Sequence, residues 1–178
     1  MYKPTIDVII PVFNGEEYIE ETLQSIINQT YQIHKIIIIN DGSTDQTEKI
    51  LNRYFKNPKI KYIKIKNHGP AKARNLGIKN SNSDFIAFLD ADDVWEKGKI
   101  EKQIKVFKNS KFKNLGVVYC DSIYINSKGK KINYLRGIKF NPKVKGQIYQ
   151  NLLYENKISG SNSAVLIKSS CFKKVGLY

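Results

Sequence analysis

The chain has 178 residues, 41% apolar and 26% charged, a balance that suits one globular domain with its own core and excludes a disordered or fibrous chain. No apolar run approaches the ~20 residues of a membrane helix, and the run Ile36 to Ile39 is strand-sized. The net charge of +14 fits lysines solvating helix faces, an anionic small molecule or an anionic membrane surface, and no basic–aromatic module of the kind that binds nucleic acid is present.

Met1-Tyr2-Lys3-Pro4 leads into a strand pattern without the layout of a signal peptide, so a cytoplasmic protein is expected. Ile6 to Val12 reads as a buried first strand. Ile19, Leu23, Ile26 and Ile27 form one helical stripe, with Asn14 and Glu17 as an N-cap pair. Lys35 to Asn40 is a second strand, followed by a helix capped by Ser43 or Thr44 with Ile50, Leu51, Tyr54 and Phe55 inward. Ile60 to Ile65, interrupted by Lys61 and Lys64, reads as a strand near an edge. Pro70 suits the first turn of a helix through Ile78, where its missing N–H costs nothing. Asp84 to Leu89 is a fourth strand, followed by a lysine-rich helix burying Ile100, Ile104 and Phe107.

The remainder is less regular. Leu115 to Ile125 reads as a strand, Asn126 to Gly129 as a turn into Lys131 to Leu135, Gly146 to Glu155 as a helix, and Ser169 to Val175 as a short helix ending at Gly176. Ile158 to Ile167 mixes small polar and apolar residues. Cys120 and Cys171 stand in no metal spacing and read as reduced structural thiols. Beyond Glu101 the only carboxylates are Asp121 and Glu155. Alternating strands and helices with short links predict an α/β fold with a mostly parallel central sheet flanked by helices.

In such sheets ligands bind outside the carboxyl ends of the strands. Here the four ends are Phe13-Asn14-Gly15, Asn40-Asp41-Gly42-Ser43, Asn67-His68-Gly69 and Asp90-Ala91-Asp92-Asp93. Carboxylates at neighbouring strand ends repel unless a cation, or donors such as a base N–H and ribose hydroxyls, lies between them. Mg2+ and Mn2+ take one or two carboxylates plus substrate phosphates, and an acidic triplet at a strand end can supply them. The ordinary explanation of Asp90 to Asp93 is an acidic turn capping the next helix. For Asp41 and Asp45 it is turn and cap chemistry, which leaves Asp41 unassigned. Arg74, between Ala73 and Gly77, either lies on the surface or reaches the carboxylates or a phosphate. His34 reads as a loop residue, and His68 is a weak signal near the cleft.

Val8-Ile9-Ile10-Pro11-Val12-Phe13-Asn14, Asn40-Asp41-Gly42-Ser43-Thr44-Asp45, Gly69-Pro70-Ala71-Lys72-Ala73-Arg74-Asn75-Leu76-Gly77 and Phe88-Leu89-Asp90-Ala91-Asp92-Asp93, in this order, resemble the family 2 glycosyltransferases of the Rossmann-like GT-A fold. The resemblance covers nearly the whole chain. It implies one GT-A domain over residues 1–178, with a donor part over about 1–110 and an incomplete acceptor part over about 111–178. It further implies a nucleoside-diphosphate sugar donor, commonly a UDP-sugar, a divalent metal (Mn2+ or Mg2+), and a glycan or lipid-linked acceptor; separately, the basic charge of the second part leads to an expectation of peripheral membrane association. Carried over by position, Pro11, Val12, Phe13 and Asn14 would frame the base and Asp41 would contact it. Arg74 would organise the diphosphate region, Asp90 with its neighbour Ala91 would meet the ribose, and Asp92 would hold the metal. Phe13 stands where tyrosine is common, which keeps stacking and loses a hydroxyl. Inverting members place a carboxylate base in a Glu-Asp pair after a segment like Val175-Gly176-Leu177-Tyr178, so the expectation is a chain that binds donor and transfers sugar poorly.

A dinucleotide-binding domain would want GxGxxG after the first strand, which Asn14-Gly15-Glu16-Glu17-Tyr18 does not supply, and no P-loop is present. A sugar-phosphate nucleotidyltransferase, or a non-catalytic nucleotide-binding module, would use the same strand-end carboxylates.

Overall fold

The computed structural model describes residues 3–132, Gly146 and residues 161–178. Within them a six-stranded sheet runs in the order β3-β2-β1-β4-β6-β5. Its strands are β1 (Ile6–Val12), β2 (Lys35–Asn40), β3 (Ile60–Lys64), β4 (Phe85–Phe88), β5 (Val117–Tyr119) and β6 (Val165–Lys168). The first four are mutually parallel, whereas β6 pairs antiparallel with both β4 and β5. Helices α1 (Ile19–Ile27), α2 (Thr47–Asn52), α3 (Pro70–Lys79), α4 (Lys99–Asn109) and α5 (Ser169–Val175) flank the sheet.

The two-residue period of the strands produces two cores, one on each face. Ile6, Val8, Ile10 and Val12 pack with Leu23 and Ile26 of α1, Leu51 of α2 and Ile100 and Ile104 of α4. On the opposite face Ile9, Ile37, Ile39, Ile86 and Phe88 pack with Ala73 and Ile78 of α3, and Phe172 of α5 joins them. Gly77 is what lets α3 lie this close: a Cβ there would overlap Ile9 Cγ2.

Parallel strands buried on both faces read as apolar runs, which is why β1, β2 and β4 lie where the sequence predicts them. β3 sits at the sheet edge, as its exposed Lys61 and Lys64 predict. The ends of the helices differ. Asn14 does not cap α1, whose first turn has no side-chain cap. It takes a positive φ of 50°, its N–H donates to Ser43 Oγ at 3.0 Å, and its Oδ1 accepts from the Thr44 N–H at 2.8 Å. Asn14 therefore ties two strand-end loops together. Ser43 and Thr44 are engaged there and do not cap α2, which begins at Thr47, where Asp45 Oδ1 accepts the Thr47 N–H at 3.0 Å.

The predicted strand Leu115 to Ile125 shortens to Val117–Tyr119. Its end is set by remote partners, since the Cys120 N–H already turns to the Ala164 carbonyl. The predicted turn at Asn126 to Gly129 is closed by an antiparallel Ile125–Lys131 bridge. Asn133 to Leu135, the predicted helix beyond Gly146 (Gln147 to Glu155) and Ile158 to Gly160 lie outside the described residues. Cys120 and Cys171 are free thiols. Among the described residues no helix is long and apolar enough to cross a membrane.

At the amino-terminal end of the sheet, wholly buried Asp7 meets His34 Nδ1 at 2.8 Å and accepts from Ser81 Oγ at 2.7 Å. His34 is thus the partner of a buried carboxylate, at the end of the sheet away from the predicted cleft.

Candidate donor-binding site

The strand order reverses direction between β1 and β4, and such a switch point opens a crevice between the loops leaving the two strands. A cleft of about 450 Å³ lies there. Pro11, Val12, Phe13, Asn14, Asp41, Arg74, Asp90, Ala91 and Asp92 all line it. The sequence motifs single out each of these nine. Tyr18, Asn67 and Pro70 line it as well, and the motifs do not mark them as site residues. Tyr18 could have been found as an aromatic one residue before the first helical stripe. Its hydroxyl donates to Glu17 Oε1 at 2.7 Å, which pushes the phenol pKa up.

Each wall has a local cause. Phe13 is 50% exposed at the carboxyl end of β1, where an aromatic side chain can stack on a planar ligand. Gly42 turns the chain after β2 with φ 78°, and a Cβ there would lie 2.9 Å from the Asn67 nitrogen. Asp41 is only 3% exposed, and its two oxygens accept the N–H groups of His68 and Gly69, both at 2.8 Å. This is the function the turn chemistry left unassigned: Asp41 anchors the loop that delivers Pro70 and α3. Two backbone N–H groups thus satisfy it without a cation, and each oxygen keeps capacity for a second hydrogen bond.

Arg74 projects from α3 to the carboxylates, with Nη2 to Asp90 Oδ1 at 2.6 Å. Its Nε is buried and has no hydrogen-bond partner among the described residues, and the residue lines the cleft. The loop after β4 is fixed by Thr22 Oγ1, whose one proton is shared between the Ala91 and Asp93 carbonyls at 2.8 and 3.0 Å. Asp93 Oδ2 accepts from Ser161 Oγ at 2.9 Å. Of the three clustered carboxylates, only Asp92 is exposed and without a hydrogen-bond partner among the described residues. No group of three or more His, Cys, Asp or Glu among the described residues could hold a metal by itself. One open carboxylate beside a cleft fits the habit of Mg2+ and Mn2+, which complete their shells with substrate phosphates and water.

Fold and site together define an α/β domain of the GT-A glycosyltransferase type, with a polar cleft at the carboxyl ends of its parallel strands. The sequence profile of glycosyl transferase family 2 matches residues 7–176, and the chain belongs to that family. It is similar to an uncharacterized glycosyltransferase of Rickettsia typhi, 36% identical over 177 residues, covering 99% of this chain and 54% of that protein. An uncharacterized glycosyltransferase of Rickettsia felis is 40% identical over 152 residues, 84% of this chain and 24% of its own length. The chain therefore spans about half or a quarter of these relatives. Among solved structures, residues 1–349 of S. aureus TarS in complex with UDP-GlcNAc superpose with a TM-score of 0.72 at 24% identity, covering 96% of this chain and 47% of that fragment. The mannosyltransferase PcManGT from Pyrobaculum calidifontis, in complex with GDP-Man and Mn2+, superposes with a TM-score of 0.69 at 20% identity, covering 100% of this chain and 48% of PcManGT.

Proposed function

We propose that this chain is the donor-binding part of a glycosyltransferase, and that the cleft between β1, β2 and β4 takes a nucleoside-diphosphate sugar, with a UDP-sugar as the leading candidate. The observation that carries the reading is the arrangement along the cleft: a half-exposed aromatic side chain at Phe13, the Arg74 guanidinium held by Asp90, and an exposed carboxylate at Asp92 without a hydrogen-bond partner among the described residues. In this reading Pro11, Val12, Phe13 and Asn14 frame the base, with Phe13 stacking on it and Asp41 accepting a base N–H through its remaining lone pairs. Arg74, held by Asp90, offers its guanidinium to a diphosphate oxygen, and Asp90 and Ala91 face the ribose. Asp92 would hold a divalent cation, Mn2+ or Mg2+, and when bound the ion would offset the charge of the nucleotide as a leaving group.

For the whole protein the proposal extends to inverting transfer of the sugar to a glycan or lipid-linked acceptor. Asp121 does not line the cleft, Glu155 lies outside the described residues, and the cleft carboxylates serve the donor, so no described carboxylate is assigned as the base. Calorimetric titration with UDP tests the reading. Binding that requires Mn2+ and weakens by about tenfold or more in Asp92→Asn supports it. Metal-independent binding, unaltered in that variant, would contradict it.

A further inference from the structure

Tyr178 is gripped through its backbone. Its N–H donates to Asn75 Oδ1 at 2.9 Å, and Asn75 Nδ2 donates to the Tyr178 carbonyl at 2.8 Å. Gly176, with φ 94°, makes the bend that brings the residues after α5 to this point. The Tyr178 ring stands edge-on to Phe88, 5.7 Å between centroids, and its hydroxyl donates to Asn162 Oδ1 at 3.1 Å. Burial pushes the Tyr178 phenol pKa up, with Arg74 opposing and Asp90 adding to the rise, so the ring lies within electrostatic reach of the cleft's ion pair.

These contacts close into a ring. Arg74 bonds Asp90, the Asp90 N–H donates to Ser163 Oγ at 3.0 Å, Asn162 precedes Ser163 and accepts from Tyr178, and Tyr178 returns to Asn75, the neighbour of Arg74. Four segments of the chain, at residues 74–75, 90, 162–163 and 178, are thereby tied together beside the cleft. A helix-surface asparagine with only a solvation role would need neither of its two bonds to a backbone 103 residues away. Amide-to-backbone pairs of this kind fix both position and direction of the segment they hold.

We propose that Asn75 is a positioning residue: its grip on the Tyr178 backbone holds Arg74 in register with Asp90 and couples the order of residues 176–178 to occupancy of the donor cleft. The binding half of this inference rests on the reading of the cleft as a nucleotide-diphosphate site; the structural half does not. The test uses Asn75→Ala and Asn75→Asp, the second keeping the acceptor for the Tyr178 N–H while losing the donor. Proton exchange at Arg74 Nε and at the Tyr178 amide is followed by NMR without ligand, and UDP–Mn2+ affinity is measured in parallel. Loss of the two bonds is expected to speed both exchanges about tenfold and to weaken UDP several-fold, with Asn75→Asp intermediate. Bound UDP should slow Tyr178 amide exchange in the wild type and leave it unchanged in Asn75→Ala.

A faster Tyr178 amide with Arg74 Nε exchange unchanged would overturn the inference and reduce Asn75 to a local tether. So would a lowered thermal midpoint with unaltered Arg74 exchange and UDP affinity. If the wild type failed to bind UDP, the donor-site reading would fall, and Arg74 exchange would still decide the role of Asn75.

Discussion

The strands that build the cleft and those that follow α4 obey different rules. β1, β2 and β4 are four to seven residues of nearly unbroken apolar sequence, buried on both faces, with connections short enough to read locally. β5 and β6 are three and four residues long, and β6 enters between β4 and β5 from the far end of the chain. The first region is specified by its own periodicity. The second is specified by partners, chiefly Gln103, whose Nε2 donates to the Val118 and Ala164 carbonyls at 3.2 and 2.9 Å, and Trp95, whose Nε1 donates to the Ser163 carbonyl at 2.9 Å. Where backbone groups are satisfied by side chains of another element, no local pattern can reveal the boundary.

If the first region is fixed by close packing, the largest loss should come from crowding α3 against β1. Gly77→Val places methyl groups into wholly buried Ile9 and should cost about 3 kcal/mol or more in urea unfolding. A loss within about 1 kcal/mol would show that α3 can shift and that the packing is not what sets the cleft.

The seam between the regions offers the next effect. Lys99 is buried with its Nζ 4.1 Å over the Trp95 ring and bonded to Gln103 Oε1 at 3.0 Å, and burial pushes its pKa down to about 8. The unfolded chain holds that proton up to its ordinary value of 10.5, so it binds more protons than the folded chain between about pH 8 and 10.5. The Lys99 contribution therefore penalises folding fully below pH 8 and is relieved as pH rises through this window, by up to roughly 3 kcal/mol. Cys120, whose thiol burial pushes up from 9.0, works the opposite way above that pH, because the unfolded thiol ionises first. Comparing stability against pH for wild type and Lys99→Met separates the two. The variant should lose the rise with pH, and an unchanged slope would refute the buried-ammonium account.

A smaller effect is expected at Asp41. Asp41→Ala leaves the His68 and Gly69 N–H groups without their acceptor and should cost about 2 kcal/mol, with Asp41→Asn milder because one acceptor oxygen remains. Equal stability of all three would mean that water replaces the carboxylate and that the loop before α3 does not depend on it.

The cleft itself shows how far sequence can go. The nine residues singled out from it meet because strand-end loops of a parallel sheet converge by topology, and motif order reports topology. What single residues do there is less legible. Asp41 and Asn14, judged against neighbours in sequence, look like turn and cap, whereas their partners come from loops 27 and 30 residues away. Electrostatic crowding is likewise less than the sequence suggests: Asp41 and Asp90 are satisfied by backbone N–H groups and by Arg74, which leaves Asp92 as the open carboxylate. Asp7 stands out as a charge within an apolar strand, but nothing nearby in sequence announces His34 or Ser81 as its partners.

The account turns on a nucleotide diphosphate occupying the space between Phe13 and Asp92. A crystal structure of the chain grown with UDP and Mn2+ examines this directly. The base should stack on Phe13, a diphosphate oxygen should accept from the Arg74 guanidinium, and the ion should touch Asp92. Nucleotide bound elsewhere on the surface, or an ion that does not touch Asp92, would contradict it.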